Sequence, residues 1–263
     1  MSYHPRHPFK ICLSVWHALF MREAMARMTA DRFGWTWILL EPVLHVVIML
    51  SVRQLMGRVR FIQGADFIPW LIVGIITFFI FRDAMMRSMS AVRANRALFA
   101  YRQVLPIDTV IVRALLEFCL RSVIFVVLIL GMSFLGYDAI PDEPLMVIIM
   151  WFLAWCVGFG LGLVLSVFAT MVEELEKVFR LIMFPLYMLS GVMIPIKFLP
   201  HELHPWLLLN PIAHVLELMR HAFFDGYYMM AGVNALYPIQ VMLCCSLLGL
   251  MLHVRYKFRL MSA

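Results

Sequence analysis

Charge is scarce in this chain. Of 263 residues only 14% are Asp, Glu, Lys or Arg, against 63% hydrophobic, and the mean hydropathy is +0.89. Soluble domains carry about 25% charged residues, so the shortage excludes an ordinary soluble protein and leaves a polytopic membrane protein. A Gly-x-x-x-x-Gly-Lys-Ser/Thr phosphate loop is also missing, which excludes ATP hydrolysis by this chain alone. The cysteines, Cys12, Cys119, Cys156, Cys244 and Cys245, form no Cys-x-x-Cys pair, and four fall in apolar segments. Structural disulfides and a zinc site are therefore not expected. Nor is a signal peptide expected, because Lys10, Arg22, Glu23 and Arg27 interrupt the first apolar stretch. Six spans of about 20 residues would fill nearly half the chain, leaving short loops and no second soluble domain. The net charge of +6 then concerns orientation and lipid headgroups, not nucleic acid.

What is present is a series of apolar runs, which predicts an all-α fold with six transmembrane helices. Residues 1–34 read as a cytoplasmic tail and an interfacial helix, with an apolar stripe at Phe9, Cys12, Leu13, Trp16, Leu19 and Phe20. The transmembrane region, 35–254, divides into spans near Trp35–Leu55, Phe67–Met86, Pro106–Tyr137, Leu145–Val172, Leu181–Ile196 and Tyr227–Val254. Gly158, Gly160 and Gly162 in the fourth would allow close helix approach. A tail, 255–263, follows. With both termini cytoplasmic, the inner segments hold sixteen basic residues and the outer ones five, a positive-inside bias that sets the orientation. Arg53, Arg58 and Arg60 run against it, as a site for something acidic outside or as a solvated loop.

Three stretches carry more than a membrane anchor needs. Asn95 to Glu117 sets Leu98, Phe99 and Tyr101 beside Arg96 and Arg102, with Pro106 opening the next helix. It is either an amphipathic loop on the bilayer or a rigid cytoplasmic element that meets a soluble partner. Arg113, Glu117 and Arg121 recur at four-residue steps and so share one helix face. That face is an intrahelical ion ladder, a snorkelling edge or the wall of a wet cavity. Glu41, before Pro42, either caps a proline-led helix near the boundary or is an ionisable group with a role at membrane depth. Finally, the stretch from Pro185 to Tyr228 is broken by Leu189–Pro195 and by Asn210-Pro211. That pattern fits two short re-entrant helices, about 195–222, in the outer leaflet. His214, Glu217, Arg220 and His221 lie on neighbouring turns there, but the arginine and the lack of a second carboxylate argue against a metal.

Three segments together resemble the membrane subunit of bacterial type-2 ABC exporters that move polysaccharides. They are Phe20-Met21-Arg22-Glu23 with Gly34-Trp35-Thr36-Trp37-Ile38-Leu39-Leu40-Glu41-Pro42, the stretch from Asn95 to Glu117, and Leu209 to Arg220. The form Tyr101-Arg102-Gln103-Val104-Leu105-Pro106-Ile107-Asp108-Thr109 is most similar to group 2 capsule-export permeases. The run Arg27–Arg32 departs from the family in being less basic and aromatic, which bears on the cytoplasmic entrance.

The resemblance implies a coupling segment, about 90–106, that docks in a separate ATPase subunit through Asn95, Arg96, Leu98, Phe99, Tyr101, Arg102 and Pro106. It implies an N-terminal gate at Trp16, Arg22 and Glu23 and a periplasmic gate at Asn210, Pro211, His214, Glu217 and Arg220. Two permease copies would enclose a path for a lipid-linked acidic polysaccharide, to which Phe78, Phe79, Arg82, Arg113, Glu117 and Arg121 are assigned, since sugars stack on rings and carboxylates pair with guanidinium groups. No cofactor is expected in this chain; ATP and Mg would be held by the partner ATPase, a KpsT-like dimer. A KpsE-like periplasm-spanning co-polymerase and a KpsD-like outer-membrane exporter are further implied, at the bacterial inner membrane. The alternatives are a permease for O-antigen or teichoic acid, or a membrane-embedded glycan or lipid enzyme built on Glu173, Glu174 and Glu176.

Overall fold

A computed structural model of the chain describes residues 8–30, 34–55, 64–101 and 103–262. Among the described residues every regular element is helical. In chain order they are α1 (Pro8–Ala30), α2 (Gly34–Leu55), α3 (Phe67–Ala94), a 3₁₀ turn at Arg96–Ala100, α4 (Pro106–Phe134), α5 (Pro144–Met171) and α6 (Glu174–Leu189). Two 3₁₀ turns, Ile196–Phe198 and His201–Leu203, lead to α7 (His204–Leu207), α8 (Pro211–Phe223), α9 (Leu236–Arg255) and α10 (Lys257–Ser262).

Local chemistry fixes the starts. Pro106, Pro144 and Pro211 stand in the first turns of α4, α5 and α8, where the missing N–H has no helical acceptor to lose and φ is already helical. At α4 the Asp108 carboxylate turns back and accepts the Leu105 N–H at 2.8 Å. At α8 the Asn210 side chain accepts the Ile212 N–H at 3.2 Å, the N-cap arrangement.

Four helices, α3, α4, α5 and α9, are long and apolar enough to cross a membrane. The first three have 28, 29 and 28 residues, about 42 Å at 1.5 Å per residue, so each exceeds the roughly 30 Å hydrocarbon core and extends beyond it. The first expected span corresponds to α2, of which Leu40–Met49 is the described apolar portion. The fifth corresponds to α6, which starts seven residues before the expected Leu181 because Glu174–Arg180 joins the same helix. The sixth starts later than expected, at Leu236, since 224–235 is a loop.

α5 occupies the centre. Gly158 and Gly162, one turn apart, face α3: a Cβ at Gly158 would overlap the Phe81 carbonyl, and one at Gly162 would crowd Ser88. Gly160, on the other side, faces Met242 and Ser246 of α9. The expected close approach is thus present on both sides of α5, and tight van der Waals contact is the main source of helix association where no water is to be displaced. Two tryptophans tie α5 to α4: the Trp151 indole donates to Ser122 Oγ at 2.9 Å and the Trp155 indole to the Ala114 carbonyl at 2.8 Å.

The α1 stripe divides. Leu19 is buried, and Val15, Trp16 and Phe20 are half-buried against the end of α3 and the start of α4, whereas Phe9 and Leu13 face outward.

Candidate functional site

The turn between α3 and α4 is built as one piece with α1. Asn95 is buried; its amide donates to the Ala91 carbonyl at 2.9 Å, closing α3, and its carbonyl accepts from Arg22. The Trp16 indole donates to Asp108 at 2.8 Å, so the carboxylate that caps α4 also holds α1. Phe99 points inward, 7% exposed, into a cluster with Leu19, Val92, Val104, Val110 and Leu260. Of the apolar trio Leu98, Phe99 and Tyr101, Phe99 is therefore core. Leu98 is half-buried beside it, and Pro106 is buried at the start of α4. What the turn offers outward is Arg96 and Tyr101, the latter 66% exposed. Arg102 lies outside the described residues, as do residues 1–7, 31–33, Arg58 and Arg60.

Above this turn the polar face of α4 meets its neighbours. Arg113 Nε donates to Glu23 of α1 at 2.5 Å and its Nη1 reaches Ser90 Oγ at 3.3 Å. Glu117, nearly buried, pairs with Arg27 of α1 and with Arg87 of α3 at 3.5 Å. Arg121 reaches Glu41 of α2 at 3.1 Å and pairs with Asp83 of α3. Equal spacing places three groups on one helix face; it does not say what faces them. The intrahelical ladder is thus replaced by pairs between helices, each bringing an opposite charge from α1, α2 or α3. Without such partners these groups would carry an uncompensated desolvation cost.

The last rung is a closed ring of four charges. Arg82 donates to Glu41 Oε1 and to Asp83 Oδ1, both at 2.8 Å, while Arg121 holds Glu41 Oε2 and Asp83 Oδ2. Phe79 lies beneath, 4.1 Å from the Arg82 guanidinium carbon and 5.3 Å from that of Arg121. Phe78 turns instead toward Tyr187 of α6, whose hydroxyl bonds His45 Nε2 at 2.7 Å. Of the residues assigned to the path, Phe79, Arg82 and Arg121 are brought together; Phe78 lies in the adjoining aromatic cluster, and Glu117 and Arg113 sit one and two turns from Arg121 toward the start of α4.

Further along α3, beside Gly74, the residues expected at the outer gate hold loops in place. The Arg220 guanidinium, fully buried, donates to the carbonyls of Gly191 at 2.7 Å and Val192 at 2.9 Å, and stacks 3.5 Å over the Trp70 ring. Gly74 makes room for it, since a Cβ there would overlap the guanidinium. Glu217 accepts from Tyr227 Oη at 3.0 Å and from the Met230 N–H at 3.3 Å. His214 Nδ1 accepts the Asn234 N–H at 3.1 Å, which leaves Nε2 protonated to donate to the Leu208 carbonyl at 2.8 Å. Asn210 also donates to Ser190 Oγ at 2.8 Å, and Pro211 opens α8.

These positions match a known family across most of the chain: the sequence pattern of the ABC-2 type transporter family covers residues 14–224. The chain belongs to the ABC-2 type transporter family. It is accordingly a transport subunit and not an enzyme. Among its relatives is the polysialic acid transport protein KpsM of Escherichia coli, 35% identical over 248 residues that span 94% of this chain and 95% of that protein. The capsule polysaccharide export inner-membrane protein CtrC of Neisseria meningitidis serogroup A is 28% identical over 240 residues, 91% and 90% of the two chains. BexB of Haemophilus influenzae, of the same description, is 26% identical over 228 residues, 85% and 86% of the two.

Within this ABC-2 transporter subunit, the carboxylates Glu173 and Glu176, the core of the enzyme alternative, are ion-paired with Arg93 at 2.9 and 3.9 Å, and Glu176 also with Arg180 at 3.1 Å. They line a cleft of about 420 Å³ with Lys177. Sequence reasoning missed Arg27, Asp83 and Asp108 as members of the polar network. Asp108 had a visible signal, its place in the first turn after a proline; Asp83 looked like the polar end of a span, because α3 continues eleven residues beyond it.

Proposed function

We propose that this chain is the permease subunit of an ABC exporter that moves lipid-anchored, acidic capsular polysaccharide from cytoplasm to periplasm across the bacterial inner membrane. ATP hydrolysis in a separate KpsT-like ATPase dimer, which holds ATP and Mg, drives it. The observation that carries this reading is the near full-length similarity to three named capsule-type exporters, at 35% identity for KpsM. Two copies of the permease form the channel, and KpsE-like and KpsD-like proteins continue the route through the envelope.

In this reading α2 and α6 complete six spans, both termini are cytoplasmic, α1 lies in the interface with Phe9 and Leu13 toward lipid, and residues 195–222 turn back within the outer leaflet as the periplasmic gate. The region 35–254 is the transmembrane domain between a cytoplasmic N-terminal segment and tail. Coupling to the ATPase runs through the turn that contains Arg96 and Tyr101, with Arg102 beside them. Trp16, Arg22 and Glu23 serve as the N-terminal gate by tying α1 to that turn. Support for the coupling role comes from its construction: an exposed cation and ring on a backbone anchored by Asn95, Phe99 and Pro106.

Co-expression of the tagged permease with the neighbouring ATPase tests this. Wild type is expected to co-purify with the ATPase and stimulate its hydrolysis, and an Arg96→Glu, Tyr101→Ala variant to lose both and to abolish capsule at the cell surface. Equal binding and export by that variant would refute the coupling assignment. Failure of any ATPase to associate with wild type would refute the exporter reading.

A further inference from the structure

The ring formed by Glu41, Arg82, Asp83 and Arg121 is unequal in access. Arg121 and Asp83 side chains are 6% and 13% exposed, whereas Arg82 and Glu41 are 25% and 29% exposed. Asp83 follows Arg82 on the same helix, so its contact with that arginine is fixed within α3. Glu41 comes from another helix, and it spans the two arginines with one oxygen on each. The surroundings of Glu41 on α2 are otherwise open: Leu40, Val43, Leu44, Val47 and Ile48 are all exposed in the protomer. Among the described residues, α2 meets this region through the Glu41 carboxylate in the arginine fork, the His45 ring bonded to Tyr187 and in T-shaped contact with Phe79, and the packing of Val46 and Met49.

Charge counting separates the two acids. With all four groups ionised the ring is neutral. Withdrawing Glu41 leaves two guanidinium groups facing one carboxylate, a net single positive charge over the face of Phe79. A fork of two guanidinium groups above a ring accepts a carboxylate on a sugar as well as it accepts one on a side chain, because charge-assisted bonds and a ring face are all it offers.

We propose that Glu41 is the built-in counter-ion of an acidic-polymer site on Arg82 and Arg121: it occupies the fork at rest and yields it to a carboxylate of the cargo when α2 shifts. The proposal rests on the acidic cargo of the preceding reading and adds a residue that sets specificity. Exchange of one carboxylate for another keeps the ring neutral at each step, so neither state buries a bare cation. A neutral polymer supplies no replacement for Glu41 and leaves the fork closed.

The test uses the full permease–ATPase complex in nanodiscs, with fluorescently labelled oligosialic acid and oligogalacturonate as acidic probes and a dextran oligomer as the neutral one. Glu41→Gln keeps the shape and removes the charge; Glu41→Asp keeps the charge but is one methylene too short to bridge both arginines. Since a half-exposed ion pair contributes up to about 1 kcal/mol, E41Q is expected to bind the acidic probes about fivefold more tightly, with E41D in between and dextran unaffected. Adding Arg82→Gln to E41Q should abolish the gain, and the gain should fade at high salt. Whichever of E41Q and E41D folds, by gel filtration and melting, decides the matter. If wild type binds acidic over neutral probes but neither variant binds them more tightly, or if the gain survives R82Q, the counter-ion proposal is overturned while the cargo reading stands. If no form distinguishes acidic from neutral probes, both are overturned.

Discussion

Replacing Arg220 with Met separates a structural clamp from a gate that only opens and closes. Met fills much of the same volume but donates nothing, so the carbonyls of Gly191 and Val192 lose both donors and Glu217 loses a neighbouring cation at 3.8 Å. Hydrogen bonds to charged groups contribute about 1.5–3 kcal/mol each, and removing one partner from a buried charged site costs about 3–5 kcal/mol. Because these overlap, about 4 kcal/mol is the expected loss. At roughly 2–4 °C per kcal/mol for a chain of this size, the melting temperature in detergent, followed with a thiol-reactive dye, should fall by roughly 10 °C. Arg220→Lys keeps the charge without the planar fork and should fall about half as far. Gly74→Ala drives a methyl into the guanidinium and should resemble R220M. The double variant should be little worse than either single, since both remove the same contact. An R220M protein that melts within about 2 °C of wild type would refute the clamp, because less than about 1 kcal/mol would then rest on it. Loss of export without loss of stability would favour a gate alone.

Other changes follow from the same packing. Phe99→Ala removes a ring from the cluster beneath the coupling turn and should cost about 3–5 kcal/mol of stability, visible as a lowered melting point even without the ATPase. Exchanging the charges of Glu23 and Arg113, 2.5 Å apart, should restore part of the loss caused by either single reversal, with a coupling of about 1 kcal/mol in a double-mutant cycle; complete additivity would show that α1 is not held there. Trp155→Phe deletes the bond to the Ala114 carbonyl and should cost about 1–3 kcal/mol, as expected when a buried acceptor is left without its donor. Gly158→Leu collides with the Phe81 carbonyl and should prevent folded protein from accumulating in the membrane, read by gel filtration of a fluorescent fusion.

Sequence alone reached far into the fold where a single residue decides the outcome. Pro106 and Asn210-Pro211 mark helix starts because proline fixes φ wherever it stands, and the glycines of α5 announced a closely approached helix, though not its central place. It reached less far where the answer depends on what lies across from a residue. Phe99 beside arginines reads as a knob for a partner, but the turn rotates it into a cluster with Leu19 of α1, a contact that α2 and α3 separate from it along the chain. The spacing of Arg113, Glu117 and Arg121 gives a face, while the partners Glu23, Arg27, Glu41 and Asp83 come from three other helices. Glu174–Arg180 reads as a loop by charge, yet it adds two turns to α6, because Lys and Arg are good helix formers when one face is wet. In the segment before α9, the sequence singles out Asn210, His214, Glu217 and Arg220 by type and spacing, but the loops that their side chains bind come from 190–192, 208 and 227–234 and leave no local pattern.

The glycines on both sides of α5 have a mechanical meaning. A helix whose backbone is pressed against α3 on one side and α9 on the other can neither roll nor slide without opening gaps along its whole length, since tightly packed interfaces deform in steps rather than smoothly. Among the described residues, the buried groups of α2 and α6 are few: Pro42, Val46, Met183 and Tyr187, joined by the polar contacts of Glu41 and His45. Regions with few buried contacts open at the lowest free energy. Among the described residues, then, the middle of the molecule is packed as a fixed axle, while α2 and α6 at its margin have the least to hold them.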